Sequence, residues 1–293
     1  MNKAVLKSIG AVALMCGMVP GGFGQSLVTI GDYILRRNVL VGYQGCDSMA
    51  NIPGNLGITA IADEAFYQKG ITGVIIPFGV TAIGKWAFYN CDSLTSVTIP
   101  SSVAAIGDGA FQECSNLTSL AIPASVSFIG NGALAICQKL TSISVAGGNA
   151  EYRSVDGLLF DKSGKTLIQC PGGKSGVYII PESVSAIGEG AFWGCSGLTN
   201  VIIPAGAVSI GDYAFFRCTG LTNVTIPSGV TLIGTGAFRA CYELTSVTIP
   251  PSVVSIGDEA FDACRKLKAV ILSRKTRVGS EAFPSGVQII YID

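Results

Sequence analysis

The sequence predicts a β-rich solenoid, and three observations lead to that fold class. A unit of 23 residues repeats: residues 94–100 read LTSVTIP, then Ile106-Gly107, Ala110-Phe111 and Cys114 follow, and the pattern restarts at Leu117. Apolar residues recur in the same columns of successive units, and proline ends most of the apolar runs. A fixed period of this length indicates a chain that coils into stacked, equivalent units.

Each unit begins with a short strand that the spacing of its apolar residues predicts. The unit reads L-x-x-V-x-I-P, so its last two apolar positions alternate with period two, as a half-buried strand requires. Proline has no N–H for the sheet ladder and therefore ends the strand. The isoleucine column of this strand holds Ile76, Ile99, Ile122, Val145, Ile203, Ile226, Ile249 and Leu272.

Stacking of the units supplies the core that a single unit lacks. One strand and one turn bury too little apolar surface to offset the conformational entropy lost on folding. When each coil lays its strand beside the next in a parallel sheet, the Leu, Val, Ile and Phe columns become continuous apolar ladders. The repeated glycine after isoleucine, as at Gly84 and Gly107, is expected at coil corners where a side chain would not fit.

The period breaks once, between the first and second halves of the repeats. Ile129 and Ile187 are 58 positions apart, whereas two periods would make 46. Inside this break, Gly157 to Phe160 and Thr166 to Gln169 read as two strands on either side of a Lys-Ser-Gly turn. We therefore expect a small β-hairpin, inserted at about residues 146–178, that buds from the stack.

The two ends of the chain lack the full repeat. The solenoid is expected over residues 53–293, with an N-terminal cap at 25–52 and a C-terminal cap at about 273–293, where the unit is shortened and lacks the cysteine and the following strand signature. Residues 1–24 carry early lysines, an apolar stretch and a Pro-Gly-Gly break before Gly24, which is typical of a secretory signal peptide.

These residues resemble the BspA-type leucine-rich repeat family, whose unit runs close to LTSVTIPSSVTSIGxxAFxxCSS. Residues 94–100 and 244–250 match its strand outright, and the resemblance covers roughly residues 52–283. It implies a right-handed leucine-rich-repeat coil with a parallel β-sheet on one face, short helical or 3-10 turns on the other, and one inserted β-hairpin. It also implies secreted or cell-surface roles, with adhesion to host proteins, matrix or other cells for some members. The repeat consensus does not carry binding specificity.

The charge balance makes nucleic acid an unexpected partner. Lys plus Arg and Asp plus Glu both number 19, and no basic stripe is present for a phosphate backbone. Beyond the N-terminus no apolar run approaches the roughly 18 residues that a spanning helix needs. We therefore expect no membrane span after signal cleavage. The resemblance implies that the partner is an unidentified extracellular or cell-surface protein.

Ten cysteines in an exported chain raise the question of disulfides. Seven share one column three residues after the Phe position, which favours a ladder of small buried thiols, with bridges between neighbouring coils as the alternative. Cys46 and Cys170 lie outside the column and could be free or paired. The chain has no C-x-x-C pair and no His, so neither a metal site nor another cofactor is expected.

The absence of His also removes Ser-His and Cys-His pairs and an imidazole base, so the chain is not expected to be an enzyme. The alternative is a catalytic site on the inserted hairpin that uses Asp156, Asp161 or Lys165. Carboxylates that recur after the repeat glycine, such as Asp108 and Asp212, are expected to accept backbone N–H bonds at the start of short helical turns.

Two surfaces are candidates for partner binding. The first is the outward face of the strands, a neutral strip of small residues that includes Thr98, Thr225 and Thr248. The second is the variable part of the unit beside the Ala-Phe step, where candidate anchors are Trp86, Tyr89, Trp193, Phe216, Arg217, Arg239 and Tyr242. The sequence thus predicts a secreted or cell-surface protein that mediates protein–protein or cell adhesion, with an ice- or crystal-binding strand face as a further alternative.

Overall fold

The computed structural model describes residues 26–292, and these form a β-solenoid of about 11 turns, as the repeat predicts. One strand of each coil lies on an outer wall, here called the outer sheet, where parallel pairing joins the strands in three successive groups of three, two and six. The strands of this outer sheet are Met49–Asn51, Gly73–Ile75, Ser96–Thr98, Ser119–Ile122, Ser142–Val145, Gly176–Ile179, Leu198–Ile202, Asn223–Thr225, Ser246–Thr248, Ala269–Ser273 and Gln288–Ile292. The expected signal peptide, residues 1–24, lies outside the described residues.

The register of the outer sheet places equivalent positions of successive coils side by side. Val201 pairs with Val224, and Ser119 with Ser142, one period apart in the sequence. Because side chains alternate across a strand, Val224 is buried in the core while Asn223 and Thr225 face solvent. The apolar columns of the sequence therefore form ladders between neighbouring coils.

A second set of short parallel strands lies at the next corner of each coil. These two-residue corner strands are Ala60–Ile61, Ala82–Ile83, Ala105–Ile106, Phe128–Ile129, Ala186–Ile187, Ser209–Ile210, Leu232–Ile233, Ser255–Ile256 and Arg277–Val278. The repeat glycine follows directly in every coil but the first, where Ala62 follows, and the coils approach closely there. A β-carbon on Gly107 would lie 2.7 Å from the backbone nitrogen of Lys85, so the corner admits no side chain, as predicted.

The third side of each coil, here called the turn wall, corresponds to residues 84–91 and their equivalents. The expectation of short helical or 3-10 turns here is wrong in detail, because Gly54–Leu56 is the one helix among residues 26–292. The wall consists of successive β-turns, with N–H groups bonded in alternation to the residue three back and to the neighbouring coil. Trp86 and Asn90 take positive φ values of 51° and 52°, which prevents the turns from winding into a helix.

The inward side of the turn wall carries a stack of phenylalanine rings. Phe192, Phe215, Phe238 and Phe261 are fully buried, and successive ring centroids lie 4.7 to 5.0 Å apart. Leu134 replaces Phe in one coil and interrupts the stack. Ring stacking adds to the apolar burial that holds neighbouring coils together.

The cysteine column forms a ladder of free, buried thiols, as predicted. Cys218 Sγ donates to the carbonyl oxygen of Phe192 in the preceding coil at 3.0 Å, and five others of the seven make the same contact with the Phe of the preceding coil. Burial raises the pKa of the Cys91 thiol to about 12. Among the cysteines outside the column, Cys170 is buried and Cys46 is exposed.

The aspartates after the repeat glycine do accept backbone N–H bonds, but from the next coil. Oδ1 of Asp108 accepts from the N–H of Asn131 at 3.0 Å, and Oδ1 of Asp212 accepts from the N–H of Thr235 at 2.7 Å. The expectation of bonds within their own helical turn is wrong because the wall has no helix there. These carboxylates join coils.

The N-terminal segment forms an antiparallel meander of Val28–Ile30, Tyr33–Arg36 and Val39–Tyr43, whose last strand pairs in parallel with the first corner strand. At the other end, Phe283 stacks on Phe261 at 5.4 Å, and Gln288–Ile292 pairs in parallel with Ala269–Ser273. The last unit therefore forms an outer strand although its sequence lacks the strand signature of the repeat. No helix of the described part is long and apolar enough to span a bilayer.

The insertion contains the predicted hairpin, Leu158–Asp161 with Thr166–Gln169, and a third strand, Tyr152–Val155. It does not bud from the stack, because Thr166–Gln169 pairs in parallel with the corner strand Ala186–Ile187. Leu159 packs into the core of the N-terminal coils, whereas Leu158 and Phe160 pack into that of the C-terminal coils. The middle strand of the insertion thus separates two halves of the core.

Candidate functional site: an aromatic cleft on the turn wall

Two outward columns of the turn wall vary in size from coil to coil. The apex column lies two residues after the repeat glycine and has positive φ; it holds Glu64, Trp86, Gly109, Gly132, Gly190, Tyr213, Gly236, Glu259 and Glu281. The neighbouring column follows the buried Phe position and holds Tyr67, Tyr89, Gln112, Ala135, Trp193, Phe216, Arg239 and Asp262. Large aromatic residues therefore flank a run of coils with small ones.

The small residues form a floor over which two indoles extend. A β-carbon on Gly109 would lie 2.5 Å from Cδ1 of Trp86, and one on Gly132 would lie 3.2 Å from Cζ3 of Trp193. The two tryptophans therefore reach over the floor from opposite ends. The insertion does not separate them, because the N–H of Ile136 donates directly to the carbonyl of Trp193 at 3.2 Å.

Two stacked tyrosines form the side of the cleft next to Trp86. The rings of Tyr67 and Tyr89 lie 5.1 Å apart and are nearly parallel, and the Tyr89 hydroxyl donates to Oε1 of Glu113 at 2.9 Å. Burial raises the pKa of Tyr89 to about 12, and the hydrogen bond to Glu113 adds to the shift. The hydroxyl therefore stays protonated at neutral pH, and the stack is held in place.

The opposite side is built around Trp193. Phe216 meets its ring edge-on at 5.3 Å, and Tyr213 lies 6.1 Å away. Nε1 of Trp193 is buried without a hydrogen-bond partner, an arrangement that costs about 1–3 kcal/mol. The indole is therefore positioned by ring packing rather than by its polar atom.

Between these sides lies an open cleft of about 430 Å³, lined by Glu64, Tyr67, Trp86, Tyr89, Gln112 and Trp193. Trp86 and Tyr67 keep 43% and 40% of their surface exposed, so the rings are available to a ligand. Nitrogen Nζ of Lys85 is paired with Asp108 at 2.9 Å. Burial raises the pKa of Glu189 beside the cleft, and the charges of Asp212 and Asp108 add to it, whereas a hydrogen bond with Asn131 opposes it.

The structure brings three of the predicted site residues together and separates the others. Trp86, Tyr89 and Trp193 line the cleft, and Phe216 supports Trp193 from behind. Arg217 lies over the Phe216 ring at 5.6 Å and is close enough to Tyr89 to lower its pKa slightly.

The remaining two anchors on the turn wall are occupied by contacts in later coils. Arg239 is paired with Glu259 at 2.6 Å and with Asp262 at 3.0 Å. Tyr242 lies under the guanidinium of Arg265, which is 4.7 Å from the ring centroid. These residues therefore join coils in the C-terminal half and take no part in the cleft.

The strand-face candidates lie on a different wall. Thr98, Thr225 and Thr248 are all exposed, on the outward side of the outer sheet. Another column of threonines lies directly before the outer strands and uses its hydroxyls within the fold. In this column, Thr222 Oγ1 donates to the carbonyl of Thr199 at 2.9 Å. The strip is not made of small residues throughout, because Ile75, Val177, Ile179 and Ile202 are also exposed on this wall.

Two of the hairpin residues considered for catalysis, Asp156 and Asp161, lie in turns or stabilise them. Oδ1 and Oδ2 of Asp161 accept from the N–H of Thr166 at 3.0 Å and from the hydroxyl of Ser163 at 2.7 Å. Asp156 has a φ of 53° in the turn before Gly157. Within residues 26–292, no group of three or more His, Cys, Asp or Glu side chains is arranged to hold a metal ion.

Sequence reasoning missed Glu64, Tyr67, Gln112 and the glycine floor. An alignment of the turn-wall columns could have found them, since Gly109 and Gly132 occupy the position of Trp86 in the next two coils. A column that changes from Trp to Gly and Gly within three coils predicts a step in the surface.

The sequence model of a protein family, the BspA type leucine rich repeat region, matches residues 42–166 and 176–289 of this chain in six copies. The chain belongs to the BspA-type leucine-rich repeat family. The two matched stretches of BspA-type repeats adjoin at the insertion, and the cleft crosses their junction because Glu64 to Gln112 lie in the first and Trp193 in the second.

Solved structures of other leucine-rich repeat proteins share this fold. A leucine rich cell surface protein from Faecalibacterium prausnitzii A2-165 is 25% identical, with 92% of this chain and 96% of that chain covered and a TM-score of 0.52. The pneumococcal vaccine antigen PcpA is 20% identical over 92% of this chain and 88% of that chain, with a TM-score of 0.68, and shows the fold alone. No curated protein matches the sequence.

Proposed function

We propose that this BspA-type protein is an exported, non-catalytic binding protein that attaches to proteins of other cells or of their matrix through the aromatic cleft of the turn wall. The cleft itself carries the proposal. Exposed Trp and Tyr side chains on a rigid scaffold supply large contact areas at low conformational-entropy cost, and such residues dominate binding energies at protein interfaces.

Export and surface location are supported by the family and by one relative. The structure from Faecalibacterium prausnitzii is that of a leucine rich cell surface protein. Residues 1–24 of this chain have the pattern of a secretory signal peptide, with Lys3 and Lys7 before an apolar stretch.

A non-catalytic role is supported by the chemistry of the available groups. The chain has no His, and the Asp161 carboxylate on the inserted hairpin is occupied by backbone and hydroxyl donors. The cleft instead combines aromatic rings with an amide and a carboxylate, a set that suits recognition.

The test is a binding screen of the purified protein against extracellular-matrix proteins and intact cells. A cleft variant carries Trp86→Gly and Trp193→Ala, residues that the neighbouring coils already have at these positions in Gly109 and Ala135. A strand-face variant carries alanine at Thr98, Thr225 and Thr248 and serves as the matched control.

We expect saturable binding by the unchanged protein, weakened at least tenfold in the cleft variant and retained in the strand-face variant, because interface anchors are worth about 2 kcal/mol or more each. Unfolding curves of both variants check that the solenoid is intact. Loss in the strand-face variant alone would move the binding surface to the outer sheet, and absence of binding to any matrix protein or cell would contradict the adhesion role.

A further inference from the structure

We infer that the aromatic cleft receives the side chain of an arginine on a protein partner. The inference rests on the proposed function and states the chemistry of the contact. Three observations carry it: the arrangement of the rings, the surplus of negative charge and the shape of the cleft.

The indoles of Trp86 and Trp193 lie at opposite ends of an open space. Trp86 and Trp193 come from coils that are three spacings apart, which is roughly 14 Å at about 4.8 Å per spacing. Each indole reaches inward over a glycine, and the Tyr67–Tyr89 stack lies alongside Trp86. A ligand on the floor therefore meets aromatic surface from both ends.

The electrostatics of the cleft favour a cation. Aromatic faces attract positive charge, and Glu64 adds a carboxylate to the lining. Around it lie the carboxylates of Asp108, Glu113 and Glu189, and the Lys85 ammonium is already paired with Asp108. Arg217 is a cation near Tyr89, and it lies over the Phe216 ring. The carboxylates of this region thus outnumber its cations.

The same cleft distinguishes among cations. A guanidinium is planar, stacks on indole and phenol rings, and makes a bidentate pair with a carboxylate, whereas an ammonium is compact and more strongly hydrated. A lining that combines two indoles, two phenol rings and the Glu64 carboxylate suits a guanidinium better than an ammonium. Gln112 supplies an amide in the floor, where it can contact polar atoms next to the guanidinium.

The two tryptophans provide the readout, because Trp86 and Trp193 are the only tryptophans in the sequence. Their fluorescence is recorded in three titrations of the protein. The ligands are acetyl-Gly-Arg-Gly-amide, the same peptide with citrulline in place of arginine, and cellobiose, a sugar that has no guanidinium. Citrulline has the shape of arginine without its charge. We expect a saturable change with the arginine peptide and at least tenfold weaker binding of the citrulline peptide.

Two variants assign the effect to the cleft. Glu64→Gln removes the lining carboxylate and is expected to weaken the arginine peptide at least fivefold, with little effect on the citrulline peptide. Glu281→Gln is the matched control, since Glu281 occupies the same apex column with a similar φ of 52°, far from the cleft. It is expected to leave the titration unchanged.

Equal affinity for the arginine and citrulline peptides would overturn the inference, as would a response to cellobiose alone or no saturable response up to roughly 100 mM peptide. Failure of the peptide titration with intact adhesion to cells would remove this inference and leave the proposed function standing. Peptide binding that requires Glu64, in a protein that adheres to nothing, would support the inference and contradict the adhesion role.

Discussion

The outer sheet and the turn wall follow the same repeat, yet they differ in what their outward residues are allowed to be. Outward positions of the sheet hold small polar residues in several coils, as at Ser96 and Thr98, and exposed aliphatic residues in others, as at Val177 and Ile179. Outward positions of the turn wall range from Gly109 to Trp86 in adjacent coils. Of these two walls, the turn wall is the one on which large and small outward residues together form a cleft.

The physical reason lies in how each wall is held together. A strand is held by a regular parallel ladder on which Ser and Thr fit any coil, and hydroxyls such as that of Thr222 add bonds between coils. The turn wall is held by its inward Phe, Cys and Gly residues. Its outward side chains differ from coil to coil, and those that do join coils, as Arg239 does by pairing with Asp262, add to this inward framework without being required by it in every coil.

The largest expected difference concerns the cysteines. The thiolate is the reactive form, and Cys91 is buried with its pKa raised to about 12, whereas Cys46 is exposed. Alkylation of the native protein with iodoacetamide, followed peptide by peptide, should modify Cys46 at least about a hundredfold faster than the buried column, because labelling there needs an opening of about 3 kcal/mol or more. Comparable rates at Cys46 and Cys218 would show that the inner side of the turn wall is open to solvent.

The next prediction removes one ring of the inward stack. Phe215→Ala should lower the free energy of unfolding by about 3–5 kcal/mol, because the ring is fully buried between Phe192 and Phe238. Denaturant unfolding followed by circular dichroism measures the change. Phe78→Ala is the control, since Phe78 is 78% exposed and its loss should change stability by less than about 0.5 kcal/mol. Similar values for the two variants would break the distinction between inward and outward positions.

A smaller effect is expected at the corner between the two walls. Gly107→Ala should destabilise by about 1–3 kcal/mol, because the new methyl group meets backbone atoms of the preceding coil that cannot move aside. Gly147→Ala is the matched control, since a β-carbon there meets nothing within 4 Å. Thermal unfolding of the pair checks the prediction, and an unchanged midpoint for Gly107→Ala would mean that the coils are not as close as the structure has them.

The smallest expected effects concern two threonines, Thr222 directly before the outer strand Asn223–Thr225 and Thr225 within it. Thr222→Val removes a hydroxyl that is bonded to the preceding coil and should cost about 0.5–1.5 kcal/mol. Thr225→Val changes an exposed side chain and should stay within about 0.5 kcal/mol of the unchanged protein. A loss of cooperative unfolding in Thr225→Val would mean that the faces of the sheet are assigned the wrong way round.

The insertion shows where sequence reasoning was partly sufficient. The strands Leu158–Asp161 and Thr166–Gln169 were predicted from their alternation around a turn. The strand Tyr152–Val155 was missed, although Asp156-Gly157 is a turn pair that favours a tight hairpin on its N-terminal side as well. That the hairpin joins the stack depends on pairing with Ala186–Ile187, which is distant in sequence.

The sequence by itself determined the coil, its period, the apolar columns and the outward side of each strand, because these follow from local alternation and from a repeat that must bury its face against a copy of itself. Tertiary structure alone decided that Trp86 and Trp193 share a cleft. Their positions are 107 residues apart, and only the stacking of the coils across the insertion brings Ile136 into contact with Trp193. A repeat specifies what each coil contains, whereas a surface site depends on which coils become neighbours.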